Sequence, residues 1–533
     1  MTDTGATKVF TRQATGLTKD LSALDTFVYN VNNQNIGIGV AFMLLFVPGF
    51  YVGADMFQAM IIALALALPM AFVYALFAAA IPRSGGDYVY ISRTLHPLLG
   101  FVASWNWVAW MTVYIGVPAA YLAQYGLSGF FRILGVATGN TGLIDVGNSF
   151  VNPDVTLIAG TVLIAFFAVI FAAGTKIYFR LQNVVFAIGM IGVAVAIGLA
   201  FLGSSADFAA SFDRYVAAAG GVANASSLAV EPAAYSAEQT IFASTLPQFI
   251  VLFAITSSFL GGEVRRARRS QLLGMPGGVV FVTVFMFLLT AAVVRLAGLP
   301  LLGGISANYF SPDALGLSFV PAYNELVALA FIDNLLLALL LGFTFVFWTY
   351  VWLPINFLAS TRALLAWSLD GLLPARVSQV NESRHTPTMA IIIVAILGWL
   401  SLFLYTRGVI STLYGIFGWI LSFLLCSIAA IFFPYRQRAV FESSPVNWRL
   451  GGVPVMSIVG VIATAALLYV EWIWWVDPVN GLQATPDVVG DHRMWIATAG
   501  VLISGAVWYL VARALQARRG IHVERAFAEI PPE

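Results

Sequence analysis

Residues 32–39 read Asn-Asn-Gln-Asn-Ile-Gly-Ile-Gly and open an apolar run that continues to about residue 53. Two glycines at i and i+2 weaken a helix, and the N–H groups freed there can grip an anion. A related interruption returns in the sixth apolar run, where residues 254–262 read Ala-Ile-Thr-Ser-Ser-Phe-Leu-Gly-Gly. Three consecutive hydroxyl residues can satisfy backbone groups that unwinding releases. The first and sixth positions are the ones a five-plus-five repeat requires, and transporters built that way hold their substrate near the bilayer midplane between two broken helices. The competing reading is packing, because Gly and Ser also let membrane helices approach closely.

The rest of the chain supplies the setting. Of its 533 residues 60% are hydrophobic and 10% are charged, against roughly 25% charged in soluble domains. A mean hydropathy of +0.89 excludes a water-soluble enzyme. A net charge of +1 gives no basic field for nucleic acid, and the hydrophobicity excludes disorder. The single cysteine, Cys426, can build neither an internal disulfide nor a thiolate metal site. His96, His385, His492 and His522 all fall in polar connections. Residues 1–26 are polar, so no cleavable signal peptide is expected.

A membrane crossing takes about 20 mostly apolar residues. Twelve such stretches can be drawn, near 33–53, 56–81, 98–128, 154–173, 182–203, 240–262, 277–297, 331–366, 388–406, 410–433, 453–475 and 494–514. With the amino terminus in the cytoplasm, Lys and Arg divide 21 inside to 5 outside, accounting for all 26. Inverting the chain would reverse that ratio, against the positive-inside rule. The expected layout is a cytoplasmic segment 1–32, a first repeat 33–203, an outer loop 204–239, a second repeat 240–433, two further spans within 434–514 and a cytoplasmic tail 515–533. The outer connections near 129–153, 204–239 and 298–330 read as surface loops with short helices. Acids, bases and histidines are nearly absent from the spans, which disfavours an intramembrane hydrolase, and no span carries the arginine ladder of a voltage sensor.

Three blocks resemble the amino acid–polyamine–organocation (APC) permeases. PRSGGDYVYISRTLHPLLGFVASWNW (82–107) is similar to that family's loop and third helix. GGEVRRARRSQLLGM (261–275) is similar to the run after its sixth helix, and TRALLAWSLDGLLPARVSQVNESRHTPTMA (361–390) to its connection between helices eight and nine. The resemblance implies an all-α integral membrane protein with twelve transmembrane helices, in a five-plus-five inverted repeat of the LeuT type with two peripheral C-terminal helices. It implies a substrate bearing amino and carboxyl groups, held between the first and sixth helices. Gly37-Ile38-Gly39, with Asn35 and Ile36 before it, matches the stretch whose backbone N–H groups meet a carboxylate. Aligned back from Glu263, the stretch whose carbonyls receive an ammonium falls at Phe253, Ala254, Thr256, Ser257 and Ser258, without that family's glycine and acid and with Thr256 and Ser257 as the polar substitutes. Some proton-coupled relatives carry a lysine in helix five. Here that place falls near Gly189 or Met190, and neither titrates. Thr344 and Thr349 are candidate sodium ligands, with packing hydroxyls as the alternative, and exchange without an ion is the third option.

Phe253 and Phe259 are expected to line or lid the pocket, or simply to pack. Tyr114 lies two turns from Asn106, which puts both on one face of the third helix. Trp348 is a further pocket candidate. Arg265, Arg266, Arg268 and Arg269 read as a topology anchor at the anionic inner leaflet, or as a cytoplasmic gate in which Arg265 pairs with Asp87 or Glu263. Asp370 with Arg362 reads as loop architecture, and Gly85-Gly86 as a tight turn. The expected function is secondary transport of amino acids or similar solutes, with neutral ones favoured because neither break carries an acid to offset a buried cation. Another small organic solute (a polyamine, nucleobase or organic acid) and a non-transporting membrane sensor are the alternatives. The expected partners are a small-molecule substrate and the lipid bilayer, with no nucleic acid, no catalytic residue and no cofactor. A coupling ion, sodium or proton, stays open. The expected location is the cell membrane, with both termini cytoplasmic.

Overall fold

A computed structural model describes residues 17 and 19–527, apart from 309–314, 318–324, 327, 329–330, 382, 411–415 and 480–491. Lys8 and Arg12 of the charge count, part of the 298–330 connection, the end of the tail and the side chains of Arg493 and Arg525 lie outside the described residues.

Among the described residues twelve helices are long and apolar enough to cross a membrane. We number them span 1 (Ala23–Phe50), span 2 (Met56–Ala80), span 3 (Pro97–Thr138), span 4 (Pro153–Ala173), span 5 (Thr175–Leu202), span 6 (Ala237–Phe259), span 7 (Ala267–Ala297), span 8 (Leu335–Leu369), span 9 (Thr388–Thr406), span 10 (Ile416–Arg436), span 11 (Val455–Val476) and span 12 (Trp495–Arg518). Their ends carry local signals. Ser22 and Asp25 form a reciprocal capping box that starts span 1, and Pro97 and Pro153 sit in the first turn of spans 3 and 4. Span 1 therefore begins at Ala23, well before the expected residue 33. Its opening turns are polar but contact protein, not lipid: Asn30, Asn32, Asn33 and Gln34 are all buried. Among the described residues the one β-ladder pairs Arg449–Leu450 with Val453–Pro454.

Burial sorts the spans. In span 6 94% of the apolar window is buried, against 28% in span 4 and 17% in span 12. Ile158, Val162, Phe166 and Val169, about a turn apart on span 4, are exposed, as a lipid-facing stripe would be. Span 3 is long and bent. Tyr114 leaves helical geometry (φ −82°, ψ 18°), Pro118 follows inside the helix, and a wide π-helical turn covers Leu122–Leu127. Span 3 packs on spans 8, 9, 10 and 12, so its bend faces the interior. Glu471 lies within span 11 and is one of the few acids inside a span.

Candidate functional site

Both central helices are interrupted. In span 1 the first segment, Ala23–Gln34, stops at Asn35, whose backbone is left-handed (φ 64°, ψ 83°), and a second, Ile36–Phe50, restarts at once. Asn tolerates this conformation better than most residues with a Cβ. Here its side chain also caps the new helix: Oδ1 accepts from the Ile38 N–H at 3.1 Å, while Nδ2 donates to the Trp348 carbonyl at 2.7 Å. The amides of Ile36 and Gly37 stand in the first turn, where an α-helix offers no internal acceptor.

The break thus falls at Asn35, ahead of the glycines expected to cause it. Gly37 and Gly39 serve close approach instead. A Cβ on Gly37 would lie 2.5 Å from the Trp348 side chain, and one on Gly39 2.7 Å from the Met286 sulfur.

Span 6 is interrupted over a longer stretch. Its helix Thr245–Val251 gives way to turns and to two short 3₁₀ segments, Thr256–Phe259 and Gly261–Glu263. Side chains from span 1 bond this stretch. Asn33 Nδ2 donates to the Phe253 carbonyl at 3.1 Å and to the Thr256 hydroxyl. Asn30 Nδ2 donates to Ser257 Oγ at 2.9 Å, and Asn30 Oδ1 accepts the Ser257 N–H at 3.0 Å. Span 8 completes the lattice: Trp352 Nε1 donates to the Asn33 carbonyl at 2.7 Å and Asn356 Nδ2 to Asn33 Oδ1 at 3.3 Å. Among the three hydroxyls, Thr256 returns to its own backbone at Phe253 (3.0 Å) and Ser257 donates to Gln271 (2.6 Å). The Ser258 hydroxyl is buried without a hydrogen bond among the described residues.

Beside the amides lies an aromatic cluster. Trp107 stacks on Phe253 (centroids 5.9 Å apart) and on Phe259 (5.6 Å). Trp419 meets Phe253 at 4.5 Å and Tyr114 at 4.8 Å, and Tyr114 also reaches Phe249 and Trp352. Phe253, Phe259 and Tyr114 are thereby brought to the break, with Ala254 buried between them in sequence. Asn106 turns to span 10, donating to the Gly418 carbonyl at 2.6 Å.

Other expected residues are placed differently. Trp348 fills the seam of spans 1, 5 and 8, since a Cβ on Gly189 would also touch its indole, at 3.2 Å. Thr344 and Thr349 are not brought together. Thr344 bonds back to Leu340 and packs on Gly192, whereas Thr349 bonds back to Val346 and faces Gly126. Five residues apart on one helix, they lie on different faces. The expected gate pairings are also exchanged. Glu263 holds Arg362 through two contacts, at 2.6 and 3.0 Å. Asp370, expected beside Arg362, instead takes Arg93 and the Tyr88 hydroxyl, both at 2.6 Å. Both pairs are buried. Arg265 is exposed and pairs with Asp20 at 3.0 Å. Asp87 begins the short helix Asp87–Thr94 between spans 2 and 3, and burial pushes its carboxyl from an ordinary 3.8 up to about 7. At the opposite end of the bundle Asp477 accepts from Tyr51 (2.8 Å) and Thr245 (3.0 Å).

A family model described as amino acid permease matches residues 36–504. The chain belongs to the amino acid permease family. That family lies within the APC superfamily, and membership points to a multi-pass transporter of amino acids or related solutes. In this permease the residues that tie the two breaks together are Asn30, Asn33, Trp352, Asn356 and Gln271, and the aromatic cluster adds Trp107 and Trp419. None was singled out from the sequence for the site. Asn30 and Asn33 sit three apart and so share a helix face, which is a readable signal once span 1 is known to begin at Ala23. Their partners, 220 or more residues distant, leave no local trace.

Proposed function

We propose that this permease carries neutral amino acids by alternating access, binding them where spans 1 and 6 are broken. The observation that carries the reading is the restart of span 1 at Ile36, directly opposite a stretch of span 6 with no regular helix. A substrate carboxylate is a fitting partner for the first-turn amides of Ile36 and Gly37, with the helix dipole behind them. In the unwound backbone the Leu252 and Ala254 carbonyls are the candidates for the ammonium, since those of Phe253 and Ile255 already accept from Asn33 and from the Ser258 N–H. The aromatic cluster gives an apolar side chain a surface to bury, worth about 25 cal/mol per Å². No acid stands in either interrupted stretch up to Gly262, and Glu263 beyond it is already committed to Arg362. A cationic side chain would lack a counter-charge there, whereas a neutral one needs none.

In this reading the protein resides in the cell membrane with both termini cytoplasmic, as the charge distribution favours. The Glu263–Arg362 and Arg93–Asp370 pairs then close the cytoplasmic end, and the Tyr51–Asp477–Thr245 cluster closes the outer one. The cycle requires these two closures to open in alternation.

Uptake by purified protein in liposomes, against a panel of neutral, basic and acidic amino acids, tests this directly. Saturable flux of neutral members is the expected result. Flux of basic members alone overturns the neutral assignment, and binding without any flux overturns transport. Repeating the assay under sodium and proton gradients identifies the coupling ion.

A further inference from the structure

At the Glu263 end of the bundle a groove of about 1020 Å³ opens between the end of span 2, the start of span 7 and the short helix Arg438–Ser443. Its lining has two characters. Arg266, Arg268 and Arg269 make a basic rim, and Leu272, Leu273 and Val440 make an apolar wall. The two adjoin, because on the short helix Ala267–Gly274 the leucines stand one turn after the arginines.

These arginines differ from the others nearby. Arg265 is neutralised by Asp20, Arg362 by Glu263 and Arg93 by Asp370. Arg266, Arg268 and Arg269 have no acidic partner among the described residues, although Arg268 lies over the Trp448 ring at 5.3 Å. Arg266 holds a left-handed backbone (φ 49°, ψ 52°), which is costly for a residue with a long side chain. The surrounding bonds enforce it: the Arg265 N–H donates to the Leu21 carbonyl at 2.9 Å, and Ser270 Oγ donates to the Arg265 carbonyl at 2.7 Å. Leu273 is 53% exposed.

We propose that this groove binds an anionic phospholipid, its phosphate on the arginine rim and its upper acyl chain on the leucine wall. Guanidinium groups match phosphate oxygens in planar, two-point fashion, and basic pockets beside membrane helices suit lipid headgroups. A soluble anion would use the rim and leave the apolar wall wet, so a lipid fits the whole surface and a free phosphate only part of it. The bound lipid would brace the start of span 7, which follows Glu263 by only a few residues, against span 2. The site is independent of which solute the permease carries.

The test uses full-length protein in detergent, titrated with dioleoyl phosphatidylglycerol, dioleoyl phosphatidylcholine or inorganic phosphate, and read by native mass spectrometry and thermal melting. The expected result is retention of phosphatidylglycerol over phosphatidylcholine, with a raised melting point and no competition from phosphate. Each Arg→Gln change should weaken retention about fivefold. The combination R266Q/R268Q/R269Q should remove the preference while leaving lipid-free melting unchanged. If that combination does not fold, R269Q alone gives the same reading at its smaller size. Equal retention of the two lipids, undiminished retention in the variants, or full replacement by inorganic phosphate each overturns the proposal.

Discussion

Spans 1 and 6 break at facing places but by opposite means. Span 1 pivots on one left-handed residue, and Asn35 both makes the turn and caps the helix that restarts at Ile36. Span 6 loses regular helix from Leu252 to Glu263 and borrows its support. Asn30 and Asn33 arrive from span 1. Gly85 of the loop after span 2 donates its N–H to the Phe259 carbonyl at 3.1 Å, and Leu21 donates to Glu263 at 2.9 Å. A narrow break can be capped mostly from within, because Asn35 makes the turn and takes the Ile38 N–H, with span 8 adding one bond to the Asn33 carbonyl and the first-turn amides left open. A wide break frees more groups than its own residues can reach, so its stability resides elsewhere in the chain. In the proposed site the narrow break would supply N–H donors and the wide one carbonyls, the complement that a zwitterion needs.

If the wide break depends on distant anchors, removing the strongest anchor should give the largest loss. Glu263→Gln leaves Arg362 buried and unpaired, and such a loss costs about 3–5 kcal/mol. Thermal melting of purified protein should fall accordingly. Replacing both partners with apolar residues, E263L/R362M, should recover most of the loss, since no lone charge remains. A small loss in Glu263→Gln would show that the break holds itself.

The next effect comes through the loop that docks on span 6. Asp87 follows Gly86 directly and faces Tyr74 of span 2 and Cys426 of span 10. Its carboxyl titrates near 7 when folded, against 3.8 ordinarily. A raised folded value means that the folded state prefers the proton. The stability this gives is complete below about pH 4 and is lost as pH rises through about 7. Between pH 5 and 8 the loss should be about 2–3 kcal/mol. Asp87→Asn, which stays neutral, should flatten that part of the melting profile and melt higher than the parent at pH 8. An unchanged slope would separate Asp87 from the stability of the loop.

Asn33 is the direct link between the breaks. Asn33→Ala removes its bonds to the Phe253 carbonyl and Thr256 and takes from the Asn356 amide one of its two acceptors, leaving the Trp352 carbonyl. The cost in stability should be about 2 kcal/mol, with a disproportionate fall in uptake because both halves of the site shift. Uptake falling only in step with folded protein would confine Asn33 to a structural role.

Legibility in the sequence depended on the property that hydropathy measures. It reads apolar composition, so the twelve spans stood out, including span 6, which is almost wholly buried in protein. The first turns of span 1 did not, because Asn30 and Asn33 face protein amides and hydroxyls, not acyl chains. Gly37, Gly39 and the Thr256–Ser258 hydroxyls drew attention to the interrupted regions, but the two glycines turn out to serve packing and the pivot at Asn35 could not be read. Asn is polar anywhere, and only its backbone reveals the turn. Ion pairing was least legible. Glu263, Arg362, Arg93 and Asp370 could all be picked out as charges, but the choice between partners is made by the packing of distant helices.

The smallest effect isolates the pivot itself. Asn35 contributes a left-handed backbone, a cap to Ile38 and a bond to the Trp348 carbonyl. Asn35→Gly keeps the backbone freedom and loses the side-chain bonds, and at a cap position Gly costs only a few tenths of a kcal/mol more than Asn. Asn35→Ala loses the bonds too and adds the penalty of a left-handed alanine, about 1–2 kcal/mol. Melting should therefore rank Asn above Gly above Ala, with the larger step between Gly and Ala. Uptake should keep the same order, because a helix that no longer breaks at residue 35 would turn the Ile36 and Gly37 amides onto the carbonyls of residues 32 and 33. Those amides would then be unavailable to a carboxylate. The reverse order, with Ala above Gly, would mean that the side-chain bonds and chain stiffness outweigh the turn, and the narrow break would need outside support just as the wide one does.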